Sequence, residues 1–278
     1  ILVGQIQRIK AGIESFGADA LPGQQQPTTF ELLTLLACLT FEKVGCAWAV
    51  IETGIGGRLD ATNVLSPVAT VHTPVELEHT EFLGTTIPLI AAEKAGIIKP
   101  GVPAYCGLQQ KEAEDVFRTK AETVNAPMRF LEEEIPEITS GALLLKTGER
   151  VSIEPGMPGS FQAENAALAF LATDAILASV GVEEAERRGF IADGIRGARL
   201  PGRMELLQRD PPVMIDAAHT PSSVRRLLDS FSNAFPEKGI LIFGSVLGKN
   251  PAAMAEVLAS GFDSIIISTP GTFKPSDP

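Results

Sequence analysis

The stretch that most constrains the fold covers residues 47–63, AWAVIETGIGGRLDATN. It opens with the apolar run 47–51, too short to cross a membrane and too uniformly apolar for a strand with one wet face. Such a run predicts a buried strand of a parallel sheet. Glu52 ends it, and Gly54, Gly56 and Gly57 follow within five residues. A carboxylate at the carboxyl end of a buried parallel strand, ahead of a glycine-rich loop, stands where open α/β sheets bind ligands. The glycines let backbone approach a ligand closely, and Arg58 and Asp60 add charge of both signs. In isolation the same residues are better described as an ordinary glycine-rich loop with a solvated acid.

They are not isolated. Glu78-His79-Thr80-Glu81-Phe82-Leu83-Gly84 follows, and then Glu93-Lys94-Ala95-Gly96-Ile97-Ile98-Lys99. In this order and spacing the three blocks resemble the folylpolyglutamate synthase/dihydrofolate synthase family, within the ATP-dependent Mur-type ligases. The usual family forms are E-x-G-x-G-G-R-L-D-A-T-N, D-H-x-x-x-L-G and E-K-A-G-I-I-K. The first and third match closely; in the second, Glu78 stands where Asp is usual.

Composition narrows the alternatives. With 278 residues, one large or two moderate domains are expected. Apolar residues at 45% and charged residues at 21% allow a sizeable core. A formal charge of −11 opposes a nucleic-acid or anionic-membrane partner, because the overall field repels phosphate. Cys38, Cys46 and Cys106 share no C-x-x-C spacing and read as reduced thiols, two of them in predicted core segments, which suits a cytoplasmic protein. No apolar run reaches transmembrane length and no signal peptide is visible.

Residues 4–27 hold a helical pattern on Ile6, Ile9 and Ile13 and then a polar linker, 23–27. Thr28 and Glu31 form a capping box for a helix with an apolar stripe on Phe30, Leu33, Ala37, Phe41 and Val44. Strands are predicted at 68–73 and 102–106, helices at 86–97 and 111–124, and a hairpin over 142–153. Strands alternating with helices predict a mostly parallel, doubly wound α/β sheet. A core helix is predicted over 161–180. Glycines and arginines from 194 to 203 mark a boundary, with residues 1–197 as a first domain, 198–203 as linker and 204–278 as a smaller Rossmann-like domain. In that second part an apolar strand ends at Asp216, His219 follows on a loop, and a helix covers 222–235. Further strands are predicted at 240–244 and 264–268. A histidine beside an acid at a strand end is a better ligand candidate than most loop histidines.

The resemblance implies roles for particular residues. Glu52 and His79 would bind Mg²⁺, together with Lys94, which in this family is often carbamylated into a carboxylate-like ligand. Lys94 and His219 would be catalytic. Asn165, in an H-Q-x-x-N-like block whose His is here Phe161, would contact nucleotide, as would Arg203 of Pro201-Gly202-Arg203 and Asp216 of the D-G-A-H-N-P-like block. In that block Ala217 replaces Gly and Thr220 replaces Asn, and of a D-K-D-like run only Lys249 remains. Thr28, Phe30, Arg58 and Asp60 would face substrate. From the residues alone, Thr28 and Phe30 are equally cap and core, Arg203 a linker arginine, and Lys94 an ion-pair partner of Glu93 or Glu81.

The family also opens with a phosphate loop of the G-T-N-G-K-G-S kind, and no G-x-x-x-x-G-K-[ST] occurs here. The chain is expected to be a fragment, or a variant without that loop. The implied protein is a cytoplasmic, monomeric ligase using ATP and Mg²⁺ to join L-glutamate to a folate or dihydropteroate carboxylate. A Mur-type ligase with another substrate and a non-catalytic nucleotide- or folate-binding relative stay open at this level.

Overall fold

A computed structural model describes residues 1–15, 26–246 and 249–269. Most of the expected 23–27 linker, and residues 247–248 beside Lys249, lie outside that set. The chain divides into two compact units: Ile1–Pro67, His79–Val102 and Glu112–Ala126 form one, and Val68–Glu78, Pro103–Lys111 and Pro127–Pro278 the other.

In the first unit, helix α1 (Leu2–Ser15) lies beside α2 (Thr29–Val44). The capping box is present: Thr28 Oγ1 accepts from the Glu31 amide at 3.2 Å, and the Glu31 carboxylate accepts from the Thr28 amide at 2.7 Å. Each satisfies an amide that helix geometry leaves without a partner. Gly45 ends α2 in the left-handed conformation. The apolar stripe of α2 is not buried, however, and none of its residues is fully covered. A 3₁₀ turn (Ala61–Val64), α3 (Thr80–Leu83), α4 (Ile87–Lys94), a second 3₁₀ turn (Ala95–Ile97) and α5 (Lys111–Thr123) follow. On α5 the buried residues Ala113, Phe117 and Ala121 recur every fourth position, the spacing of one helical face.

The second unit carries the sheets. Strands β1 (Thr70–His72), β2 (Ala104–Cys106) and β3 (Met128–Phe130) are parallel, with Thr70 opposite Ala104 and Cys106 opposite Phe130. After α6 (Leu131–Glu134), strands β4 (Glu137–Ile138), β5 (Ala142–Leu144) and β6 (Arg150–Ser152) form an antiparallel meander. Helix α7 (Phe161–Ser179) is apolar on nearly every side and buries Ala167, Leu168, Phe170 and Leu171 in one core with Tyr105, Leu131, Leu143 and Ile153. Helix α8 (Glu184–Gly197) adds Ile191 and Ile195 to it. Strands β7 (Glu205–Arg209) and β8 (Pro212–Ile215) form an antiparallel ribbon. Helix α9 (Pro221–Ala234), strand β9 (Ile240–Phe243), helix α10 (Pro251–Leu258) and strand β10 (Ser264–Ile267) complete the chain order, with β9 and β10 parallel. Val224, Met254 and Leu258 form a second, smaller core.

The architecture is therefore α/β, as the alternation predicts; among the described residues the parallel strands are β1, β2, β3, β9 and β10, and the antiparallel ones β4 to β8. Two local expectations fail. The run 47–51 is not a buried strand: it has no strand assignment, Val50 is 100% exposed and Trp48 54%. Apolar composition favours burial, but a strand exists only through ladder bonds to neighbours, and 47–51 has none among the described residues. Helix α8 runs through Gly194 and ends at Gly197. A helical glycine costs only about 1 kcal/mol, and burial of Ile191 and Ile195 outweighs it. Of the three thiols only Cys106 is buried; Cys38 is half-buried and Cys46 exposed.

Candidate functional site

Within the first unit, two of the sequence blocks interlock. The Arg58 amide donates to the Glu93 carbonyl at 2.8 Å, and the Arg58 guanidinium places Nε and Nη2 3.1 and 2.9 Å from Glu93 Oε1. A Cβ on Gly57 would lie 2.8 Å from the Glu93 carbonyl and 3.0 Å from that of Lys94, and one on Gly96 would lie 2.4 Å from Arg58 Cα. Only glycine permits backbone to approach backbone this closely. Asn63 Nδ2 donates to the carbonyls of Arg58 and Gly96, and Lys99 Nζ to that of Asn63. The glycine loop and the end of α4 are thus one body, which ties the Glu52 loop to Lys94.

Asp60 organises the same loop. Its Oδ2 accepts from the Gly54 and Ile55 amides, each at 3.0 Å, and its Oδ1 from the Thr62 amide at 2.9 Å and the Thr62 hydroxyl at 2.6 Å. Burial pushes its carboxyl up, but these hydrogen bonds to Thr62, Ile55 and Gly54 outweigh it and hold the group below its ordinary value. Phe30 packs against the loop: a Cβ on Gly54 would sit 2.6 Å from its ring. Phe30, Arg58 and Asp60 are therefore brought together, with both charged groups engaged internally, while Thr28 is occupied in its cap.

Glu52 is exposed at the head of the loop. His79 is half-buried in the left-handed conformation and opens α3. Lys94 is half-buried at the end of α4, and among the described residues it makes no ion pair, with Glu93 turned to Arg58 instead. No group of three or more His, Cys, Asp or Glu among the described residues is arranged to hold a metal. Mg²⁺ keeps several waters and takes ligands from phosphate, so a site for it needs only one or two protein groups.

In the second unit, Asn165 is exposed on the first turn of α7, where its amide donates to Gln162 Oε1 at 3.0 Å. Arg203 is half-buried and without an ion pair among the described residues. Asp216 spans the β7–β8 ribbon: its Oδ2 accepts from the Met204 amide at 2.8 Å and its Oδ1 from the Ala218 amide at 2.7 Å. His219 follows, with Nδ1 2.9 Å from the Ala217 carbonyl and Nε2 2.8 Å from Glu78 Oε1. Lys249 Nζ donates to the same oxygen at 2.8 Å. Burial pushes the Glu78 carboxyl up, but the hydrogen bonds and charges of Lys249 and His219 prevail and hold it at about 2. Sequence reading leaves Glu76 aside and notes Lys249 only as a remnant; no local signal joins Glu78 to His219 or Lys249, which lie 141 and 171 residues further along the chain. A cavity of about 440 Å³ elsewhere in this unit is lined by Leu108, Ile135, Ile138, Ser160 and Glu164 among others, and by none of the candidate residues.

The chain is similar to known proteins over most of its length. The family described as Mur ligase, glutamate ligase domain matches residues 202–277. The dihydrofolate synthase/folylpolyglutamate synthase of Bacillus subtilis is 37% identical over 241 residues, covering 81% of this chain and 54% of its own length. A solved mutant of L. casei FPGS is 30% identical with a TM-score of 0.82, covering 97% of this chain and 67% of that one. The chain belongs to the folylpolyglutamate synthase/dihydrofolate synthase family. A third relative of this family, solved as an FPGS–AMPPCP–folate complex, is 28% identical with a TM-score of 0.80, covering 94% of this chain and 63% of that one. This family member thus spans 54%, 67% and 63% of the lengths of these three relatives. No helix among its described residues is long and apolar enough to cross a membrane.

Proposed function

We propose that the protein is an ATP-dependent ligase joining L-glutamate to the carboxylate of a folate or dihydropteroate. The observation that carries the reading is the interlocked pair of family blocks, in which the Gly57–Arg58 backbone lies on the Glu93 and Lys94 carbonyls. A relative of the same fold is solved with an ATP analogue and folate together. Amide formation in water is uphill, so the carboxylate first attacks the γ-phosphoryl group of ATP, giving an acyl phosphate as the bond to ADP breaks. The glutamate amine then attacks the acyl carbon, and phosphate leaves as the C–O bond breaks. Phosphoryl transfer of this kind depends chiefly on positioning and charge neutralisation.

Glu52 and His79 are the proposed Mg²⁺ ligands, and bound Mg²⁺ would neutralise charge on the phosphates. Lys94 would join them as a carbamate, formed when its neutral amine attacks CO₂ and releases a proton, so that a carboxylate replaces an ammonium. Asn165 and Asp216 are proposed to contact the nucleotide, and Arg203 its phosphates, for which a planar guanidinium is suited. His219 is the proposed catalytic histidine, and Thr28, Phe30, Arg58 and Asp60 are the proposed substrate-contact residues. The working units are residues 1–197 and 204–278 joined by 198–203, and the family match beginning at 202 supports that division.

The test is a coupled assay of ADP release with folate or dihydropteroate, glutamate, ATP and Mg²⁺. ADP formed in step with a glutamylated product is the expected result. Turnover only with a different carboxylate in a panel would point to another Mur-type substrate, and nucleotide binding without turnover to a non-catalytic relative.

A further inference from the structure

Two carboxylates on the loop after β1 reach the start of α9. Ser222 Oγ donates to Glu76 Oε1 at 2.7 Å, and Thr220 Oγ1 lies 3.3 Å from Glu76 Oε2. Glu78 receives His219 and Lys249, each at 2.8 Å. The loop that carries them is itself fixed. Val75 is buried and its amide donates to Gln109 Oε1 at 2.9 Å, while Gln109 Nε2 donates to the Thr73 carbonyl at 2.9 Å. On the receiving side, Thr220 and Ser223 form a capping box on α9, and the His219 amide donates to Ser223 Oγ at 3.1 Å. A carboxylate at a helix start also faces the positive end of the helix dipole.

We infer that Glu76 and Glu78 form a clasp that fixes residues 219–223 and Lys249 on the β1 end, with Glu78 the positioning residue for both the His219 ring and the Lys249 ammonium. The stereochemistry of His219 supports this. Each ring nitrogen faces an oxygen that only accepts, so a neutral ring satisfies one end alone and the doubly protonated ring satisfies both. Losing Glu78 frees Nε2 and the ammonium together, because one oxygen holds both. The exposure of the cluster keeps the effect moderate, since partly exposed charge pairs are screened by solvent.

Hydrogen exchange on the 278-residue chain tests the clasp whether or not the protein is a ligase. Glu78→Ala is expected to speed exchange of the His219, Thr220 and Ser223 amides by about three- to tenfold, the range for one charged hydrogen bond discounted for exposure. Lys249→Met should do the same in smaller degree, and the double variant should fall short of the product of the two, as residues sharing one partner do. The β2 amides should not change; if Glu78→Ala disturbs them, the isosteric Glu78→Gln replaces it. The Nε2–H signal of His219, one of three histidines, should be seen in the parent and lost in Glu78→Ala. Unchanged exchange at 219–223, or fully multiplicative effects of the two variants, would overturn the clasp. The positioning role also bears on the ligase reading proposed above. In the active ligase Glu78→Ala should lower kcat by about tenfold, short of the ~10² of gross misplacement. Loosened amides with unaltered kcat would overturn that role, whereas a parent protein without turnover would refute the ligase reading and leave the exchange result standing.

Discussion

Gly57 and Gly96 carry no side chain because each lies against the backbone of the opposite block. Gly96→Ala would force its Cβ to 2.4 Å from Arg58 Cα, and backbone cannot swing aside as a side-chain tip can. The expected cost is about 1–3 kcal/mol, the range for overpacking, read as a lower denaturant midpoint. Gly194→Ala is the control of opposite sign. That glycine is exposed in α8 with nothing near its Cβ position, so alanine should stabilise by about 0.5–1 kcal/mol. Equal effects from the two would refute the packing argument. Asp60 adds a pH dependence. Its folded carboxyl sits below the ordinary 3.8, so the unfolded chain binds the proton more readily. Its contribution is therefore complete above the unfolded value and is lost as pH falls through the folded one. Parent and Asp60→Asn proteins should differ in urea midpoint above the ordinary carboxyl range and converge as pH falls through the parent's folded value, where its carboxyl is protonated too. A constant difference would remove Asp60 from the loop's pH response.

At the level of elements, burial decides what apolar composition cannot. The run 47–51 and the helix α7 are comparably apolar, yet α7 fills a core and 47–51 lies exposed. A helix satisfies its own backbone and needs only a surface to pack on, whereas a strand needs partners along its length. Val50→Ser should accordingly shift stability by less than about 0.5 kcal/mol, the surface range; a buried strand residue would lose far more. Trp48 is the sole tryptophan, so fluorescence reads this segment directly. Its emission should be that of a largely hydrated indole, open to acrylamide. Blue-shifted emission resistant to the quencher would show the run covered in solution. The capping box of α2 and the hairpin of β5 and β6 were legible because each is written in adjacent residues, Thr28 with Glu31 and Gly148 between two short strands.

On the scale of the whole molecule, the proposed ligase reaction makes Lys94 the most informative residue. As a carbamate it would be one positioned charge beside the transferring phosphoryl group, and losing such a group costs about 10²–10³ in kcat. Lys94→Ala should fall by that factor in the active enzyme, and Lys94→Arg should do no better, because guanidinium does not take the carbamate. Wild-type turnover in Lys94→Ala would exclude it from the mechanism.

The sequence by itself determined the family, the α/β alternation, the N-terminal cap of α2 and the identity of the glycine-rich and Glu93–Lys94 blocks. These are local: caps and turns are set by neighbours within a few residues, and a block of matched residues carries its identity without coordinates. Tertiary structure alone decided that Arg58 binds Glu93 rather than standing open, that 47–51 stays uncovered and that α8 continues past Gly194. It alone joined Glu78 to His219 and Lys249 across 141 and 171 residues. A hydrogen bond acts over about 3 Å of space and takes no account of distance along the chain, so pairings of this kind leave no periodicity or spacing to read.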